Sequence, residues 1–491
     1  VIQQRNSEYA MSKRQNRREF LRHAASWSGS AALAPSLAGL TSWLGSGTRA
    51  HRGRIVGLGE GGYGALEPSV DCPEFWIPPG FHCKRLSVTT RPSTANPSLV
   101  VPVALDGMAA FALPNGNVRL IRNHEVADGA ANAQPIGSKP YDAKAGGGTT
   151  SLEVAIRRSG SNIEVDLLAE YVSLSGTHIN CAGGLTPWNS WLSCEETIAG
   201  TRHGFTREHG YIFEVPVSAT AEVDAVPLPA MGRFVHEAIA VDPGTGIVYE
   251  TEDAWWRANN PEASPGSGFY RFIPNRRSEL REGGRLQILA IDGAPRYFTV
   301  RDQRARQTLP CVWLDIDEPD PPQASIDDAA LLRQGLAKGA AIFQRLEGCF
   351  WADNGIYFIS TNGGNAAAGQ VWHYRPTAAD RGDLELIFES PSKDVLEGPD
   401  NVCASPRGGL VICEDAEAEQ YLRGLTRAGD IVNLVLAPSP LGGPEPTEFA
   451  GCCFSPDGQV LFFNTQGTRS RLGRQPGATY AFWGPWEQGA I

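Results

Sequence analysis

The sequence predicts an all-β fold, a six-bladed β-propeller with loop and helical insertions over one face. Three observations predict it. Gly (55) and Pro (35) are abundant among the 491 residues, which favours many short strands joined by turns over long helices. Six segments repeat one form: a small or acidic lead-in, a strand, a Pro/Asn/Asp/Gly turn, and a second apolar strand ending in polar or acidic residues. The turns recur about every fifty to seventy residues, with one gap of about 110, a spacing that suits multi-stranded propeller blades.

Residues 1–50 read as an N-terminal extension and a twin-arginine signal. Arg17-Arg18-Glu19-Phe20-Leu21-Arg22 supplies the arginine pair, and Ala24 to Leu44 is the modest apolar stretch that follows it. The pattern predicts export of the folded chain by the Tat machinery, with cleavage near Ala50 and residues before Met11 lying upstream of translation. The expected location is periplasmic or secreted. Residues 51–491 then form a single propeller domain. No apolar run in it is long enough to span a bilayer, and the net charge of -11 argues against nucleic acid as a partner. Ten cysteines fall in the exported part, where an oxidising compartment permits disulfides such as Cys72 with Cys83 or Cys403 with Cys413.

The repeats follow in order. The first runs from Phe111 through Pro114-Asn115-Gly116 to Asn123-His124-Glu125. The second starts at Asn180-Cys181-Ala182-Gly183-Gly184, turns at Thr186-Pro187 and ends in Cys194-Glu195-Glu196. The third joins His236-Glu237 to Glu252-Asp253 through Asp242-Pro243-Gly244. The fourth joins Glu347-Gly348-Cys349 to Thr361-Asn362 through Asp353-Asn354-Gly355. The fifth joins Gly398-Pro399-Asp400-Asn401 to Cys413-Glu414-Asp415, and the sixth joins Ala450-Gly451-Cys452 to Asn464-Thr465-Gln466. Asp-Gly and Asn-Gly supply the positive φ angles of tight hairpins, and Pro presets the position before them. The long gap, at about residues 275–341, reads as a blade strand plus an insertion, with a short helix around Asp327 to Arg333.

The start of the first strand and the end of the second lie at one edge of each hairpin. That edge carries Asn123 and Glu125, Cys181, Glu195 and Glu196, Glu237, Glu252 and Asp253, Glu347, Asp400, Glu414 and Asp415. So many carboxylates around one channel repel each other unless cations sit among them, so an axial multinuclear metal site is expected. Oxygen ligands suit Ca²⁺, Mg²⁺ or Mn²⁺, whereas a thiolate selects a transition metal, so Cys181 points to a mixed site. Neighbours in a strand face opposite ways, so His124 and His236 are expected to orient while Glu125 and Glu237 ligate. Between Glu195 and Glu196, the expected ligand is Glu196. Arg345 stands two residues before Glu347 and has two readings, a bidentate holder of phosphate or a salt-bridge partner of the acidic ring. No Gly-x-Ser-x-Gly nucleophile elbow is present in a strand-to-helix context.

The twin-arginine leader, Asn-His-Glu, Asn-Cys-Ala-Gly-Gly with Thr-Pro-Trp and Cys-Glu-Glu, His-Glu with Glu-Asp, Arg-x-Glu-Gly, Gly-Pro-Asp-Asn and Cys-Glu-Asp together resemble the PhoX-type alkaline phosphatase family. The resemblance implies a six-bladed propeller with an axial, oxo-bridged cluster of ferric iron (Fe³⁺) and calcium (Ca²⁺). It implies hydrolysis of small phosphorylated organic substrates outside the cytoplasm, by attack of a metal-bound oxide or hydroxide on phosphorus. By the same resemblance Cys181 and Glu237 are iron ligands, and Glu347, Asp400, Glu196, Glu252 and Glu414 complete the iron and calcium shells. Asn123 and Arg345 would hold the phosphate. Two other classes stay open on the residues alone: a Ca²⁺-dependent lactonase-type propeller hydrolase, and a non-catalytic binding propeller stabilised by calcium.

Overall fold

The apolar runs of the repeats become paired strands because each carries side chains for two buried faces. Leu410–Glu414 and Val460–Thr465 are examples: Val411 and Ile412 enter different cores, as do Phe462 and Phe463. The structure is a computed structural model and describes residues 53–160, 162–439 and 447–491. The expected signal segment at residues 1–50 lies outside the described residues. Residues 53–491 form one compact unit.

Among the described residues, strand pairing makes six antiparallel units. Their first strands are Leu105–Ala112, Asn180–Leu185, His236–Val241, Leu346–Ala352, Pro399–Ala404 and Phe449–Phe454. Each pairs with the strand that follows it, and later strands add outward. The last unit is completed by an early strand, His82–Val88, which pairs with Ala478–Trp483 and so ties the two ends of the domain together. The first strands lie side by side in a closed ring, the last beside the first. Six apolar cores fill the spaces between neighbouring units. Ile121 and Phe213 share the core between the first two, and Phe462 and Leu120 share the one that closes the ring. The arrangement is the all-β, propeller-like fold that the repeats predict.

Within the expected insertion, Gly284–Ile291 is the fourth strand of the third unit. Thr308–Asp315 pairs antiparallel with that strand and with Arg381–Glu389 of the fourth unit, merging two units into one nine-stranded sheet. The helix Ala330–Lys338 ends on Gly339 with φ 104° and buries Leu331, Leu332 and Leu336. No helix among the described residues is long and apolar enough to cross a membrane.

One local device recurs in all six first strands, a β-bulge near the inner end. It falls between Leu105 and Met108, Asn180 and Gly183, His236 and Ile239, Leu346 and Cys349, Pro399 and Val402, and Ala450 and Cys453. A bulge re-aims the extra residue, and here it presents Asp106, Cys181, Glu237, Glu347 and Asp400. Small residues follow most of these so that adjacent bulges can approach. A Cβ on Gly348 would lie 2.8 Å from the Asp400 carbonyl oxygen. Gly451 closes the ring with φ 61°, and a Cβ there would lie 2.4 Å from the Asp106 carbonyl oxygen. Gly451→Ala is therefore expected to destabilise the fold by about 3 kcal/mol, read as a lower denaturant midpoint at unchanged m-value.

Candidate metal centre

The bulge residues and the ends of the second strands meet at one end of the ring. Donor atoms of Asp106, Glu125 and Cys181 lie within 4.8 Å of one another, as do those of Cys181, Glu196 and Glu237. The same limit holds for Glu237, Glu347 and Asp400, and for Asp400, Asp415 and Glu448. Shared members join the four groups into one chain of a thiol and eight carboxylates. The Cys181 Sγ is 3.2 Å from Glu237 Oε1. The chain is buried at the thiol and half-buried from Asp400 through Asp415 to Glu448, which gives it an open side. On the other side of the bulges lies an apolar axial cavity of about 150 Å³, lined by all six first strands through residues such as Gly107, Gly184, Ala238, Gly348, Val402 and Cys452.

Strand alternation decides which of two adjacent acids enters this chain. In each pair the second residue faces the axis and the first turns away. Glu195 accepts from the His178, Gly210 and Tyr211 backbone N–H groups and lies 2.7 Å from His209 Nδ1, so Glu196 is the axial member. By the same rule Glu252 turns away, accepting from Gly268 N–H at 2.7 Å and the Tyr270 hydroxyl at 2.9 Å. Glu414 also turns away, accepting from Glu397 N–H and Arg423 Nε at 3.0 Å each. The structure therefore does not bring the expected ligands Glu252 and Glu414 into the cluster. Of their neighbours, Asp415 joins the donor chain and Asp253 holds Arg345 beside it. His124 is held by the Val103 carbonyl and Thr150 Oγ1, and His236 by the Gly232 carbonyl.

Asn123 is placed differently from its expected role. Its amide donates to the carbonyls of Cys181 (3.1 Å) and Ala182 (2.7 Å), and its oxygen accepts from Trp191 Nε1 and Ser193 Oγ. Both donors and both acceptor sites are used, so Asn123 pins the Cys181 bulge instead of reaching for a ligand. Thr251 pins the Glu347 carbonyl and Asn464 the Asp106 carbonyl in the same way.

Arg345 is buried beside the cluster. Its Nε and Nη2 donate to both oxygens of Asp253 (2.8 and 2.7 Å), Nη2 also to Glu347 Oε1 (2.6 Å), and Nη1 to Asn362 Oδ1 (3.1 Å). Trp255 lies against its guanidinium, 5.1 Å from ring centre to Cζ. Burial alone would lower its pKa, but Asp253 and Glu347 raise it well above the ordinary value.

The donor set fits a metal. Burial, and then Asp106, Glu125, Glu237 and Glu196, push the Cys181 thiol well up, so this ring favours a thiolate only with a cation against it. Burial lifts Asp106 to about 7 for the same reason. Asp106 and Glu448 are cluster members that sequence reasoning missed, and Asp415, placed at the converging edge, takes the part expected of Glu414. Aligning Asp106-Gly107 with Cys181-Ala182, Glu237-Ala238 and Glu347-Gly348 is the signal that finds the first of them. All ten cysteines are buried free thiols, so neither expected disulfide is formed.

Behind the cluster, Glu195 and Asp142 flank buried His209. Burial would depress the His209 pKa, but Glu195 and Asp142 outweigh it and lift it to about 9. A histidine raised by folding stabilises fully below its unfolded pKa of about 6.5, and the benefit is lost as pH rises through about 9. The stability difference between wild type and His209→Gln is therefore expected to shrink by about 3 kcal/mol over that window, in paired urea unfolding curves at pH 6 to 10.

Comparison with known proteins agrees with the fold. A solved structure of PhoX of Pseudomonas fluorescens in complex with vanadate, a transition state analogue, is similar at 18% identity and TM-score 0.63, covering 89% of this chain and 99% of that one. A gluconolactonase from Xanthomonas campestris is 13% identical at TM-score 0.40, covering 86% of this chain and 98% of that one. No curated protein sequence matches. Residues 61–468 match the family described as alkaline phosphatase PhoX, and over that length this chain belongs to the PhoX alkaline phosphatase family.

Proposed function

We propose that this protein is an exported, metal-dependent phosphatase that hydrolyses phosphate monoesters at a mixed iron and calcium centre. The observation that carries the reading is the chain of donors at the bulges: a thiol and carboxylates from neighbouring units, with a buried arginine beside them. Cys181, with Glu196 and Glu237, is the softer end and would hold iron. Glu347, Asp400, Asp415 and Glu448 form an all-oxygen end suited to calcium. When bound, the ions supply an activated oxygen nucleophile and neutralise charge on the phosphoryl group.

The protein's own part is positioning. Arg345 spends four of its five N–H donors on Asp253, Glu347 and Asn362, which leaves one Nη1 hydrogen for a non-bridging phosphate oxygen. Asp253 and Trp255 fix the guanidinium plane, so little ordering remains to be done on binding. Substrate and water enter from the half-buried side at Asp400, Asp415 and Glu448. The twin-arginine pair Arg17-Arg18 supports export after folding and metal loading, to the periplasm or beyond.

A panel of p-nitrophenyl phosphate, bis(p-nitrophenyl) phosphate and a γ-lactone tests this reading. Turnover confined to the monoester supports it. Turnover of the lactone alone contradicts it.

A further inference from the structure

The sixth unit differs from the others in what it brings to the ring. Its bulge holds Gly451 and Cys452, with no carboxylate, and its second strand ends on Thr465. Beyond that end the chain supplies donors. Gln466 Nε2 donates to Asp106 Oδ2 (2.8 Å) and Glu125 Oε2 (2.6 Å). Arg469 pairs through Nη2 with Glu125, and the same nitrogen is 3.6 Å from Glu196 Oε2. The loop that carries Arg469 is itself fastened. The Arg469 carbonyl accepts from Ala127 N–H at 2.8 Å, and Asp128 accepts from Ser470 Oγ and Arg471 N–H. The guanidinium thus stands over one end of the donor chain with its side chain only 29% exposed.

We propose that Arg469 is a resident cation of the ring: it takes the place of a metal ion at the Asp106, Glu125 and Cys181 group and confines the metals to the rest of the chain. The inference rests on reading the ring as a metal site, not on turnover. Charge balance argues for it. A guanidinium paired with Glu125 and close to Glu196 supplies the positive charge that a divalent ion would otherwise bring there. A metal in that group would also meet the guanidinium as a like charge at short range. Gln466 strengthens the arrangement, because an amide that donates to both Asp106 and Glu125 occupies oxygens a cation would need.

Metal equivalents per chain, measured by plasma mass spectrometry on purified protein, test the proposal. Arg469→Met is expected to hold one more divalent cation than wild type, and Arg469→Lys, which keeps the charge, the same number as wild type. Equal counts in Arg469→Met and wild type would overturn it, as would a ring that binds no metal in either. Anomalous scattering from wild-type crystals decides independently of how the variant folds. The expected map has no ion among Asp106, Glu125 and Cys181, and an ion there overturns the proposal. A wild type that holds metals but hydrolyses no phosphate ester would refute the proposed function and leave this inference standing.

Discussion

Cys181→Ala is expected to lower kcat/KM toward phosphate monoesters by about 10³-fold or more, equivalent to about 4 kcal/mol of transition-state stabilisation. Cys181 stands with Glu196 and Glu237 at the softer end of the donor chain, so losing its sulfur removes a donor from the group that would hold the transition metal. It also removes the ring's one soft ligand, which should cost transition-metal content before calcium content. The substitution is small, and the Cys181 carbonyl is still held by Asn123, so the bulge should persist. Parallel measurement of iron, calcium and kcat/KM checks the expectation. Full activity with full iron would show that the sulfur holds no metal.

Arg345→Ala is expected to lower kcat/KM by about 10²- to 10³-fold, with KM rising as well as kcat falling, because a donor to the phosphoryl oxygens is lost in both ground and transition states. It should also destabilise the fold by about 3 to 5 kcal/mol, since Asp253 and Glu347 stay buried and lose the charge that offsets them. Arg345→Lys separates the two effects. An ammonium keeps the charge beside Asp253 and Glu347 but cannot make the two-pronged contact with Asp253, so stability should return largely and kcat/KM only in part. Steady-state kinetics and urea unfolding on both variants check this. If Arg345→Lys matched wild type in kcat/KM, the geometry of the guanidinium would be irrelevant to turnover.

The repeat was legible because turn chemistry is local. Asp-Gly and Asn-Gly mark hairpins by their backbone needs alone, so all six hairpins were found from residues a few positions apart. Which acid of a pair reaches the axis is less local. Alternation gives the rule, but its phase depends on where the strand ends against its partner. Glu196 was chosen over Glu195 by its place at the end of the hairpin, while the same logic applied to Glu252–Asp253 and Glu414–Asp415 needed the pairing register His236↔Glu252 and Pro399↔Glu414. Asp106 escaped because the first repeat was begun at Phe111, inside the strand Leu105–Ala112, so its bulge fell outside the alignment. Asn123 illustrates a different limit. An asparagine beside a metal cluster and one that clamps a neighbouring bulge read alike in sequence, and only its four hydrogen bonds tell them apart. Arg469 carries no motif, and Gln466 reads only as the polar end of the sixth repeat. They reach the ring because ring closure brings the end of the chain beside Glu125, a contact between residues more than 300 positions apart. The expected blade strand is Gly284–Ile291, whereas the bridging strand Thr308–Asp315 is defined only by its pairing with two different units.

On the proposed function, the bulge-borne thiol and carboxylates hold the metals on which turnover depends. Metal content measured together with p-nitrophenyl phosphate turnover, on protein purified from the export compartment before and after chelation, tests it most directly. Iron and calcium are expected in the active protein, with turnover lost as they are removed and recovered when both are restored. Undiminished turnover in protein stripped of both metals would contradict it.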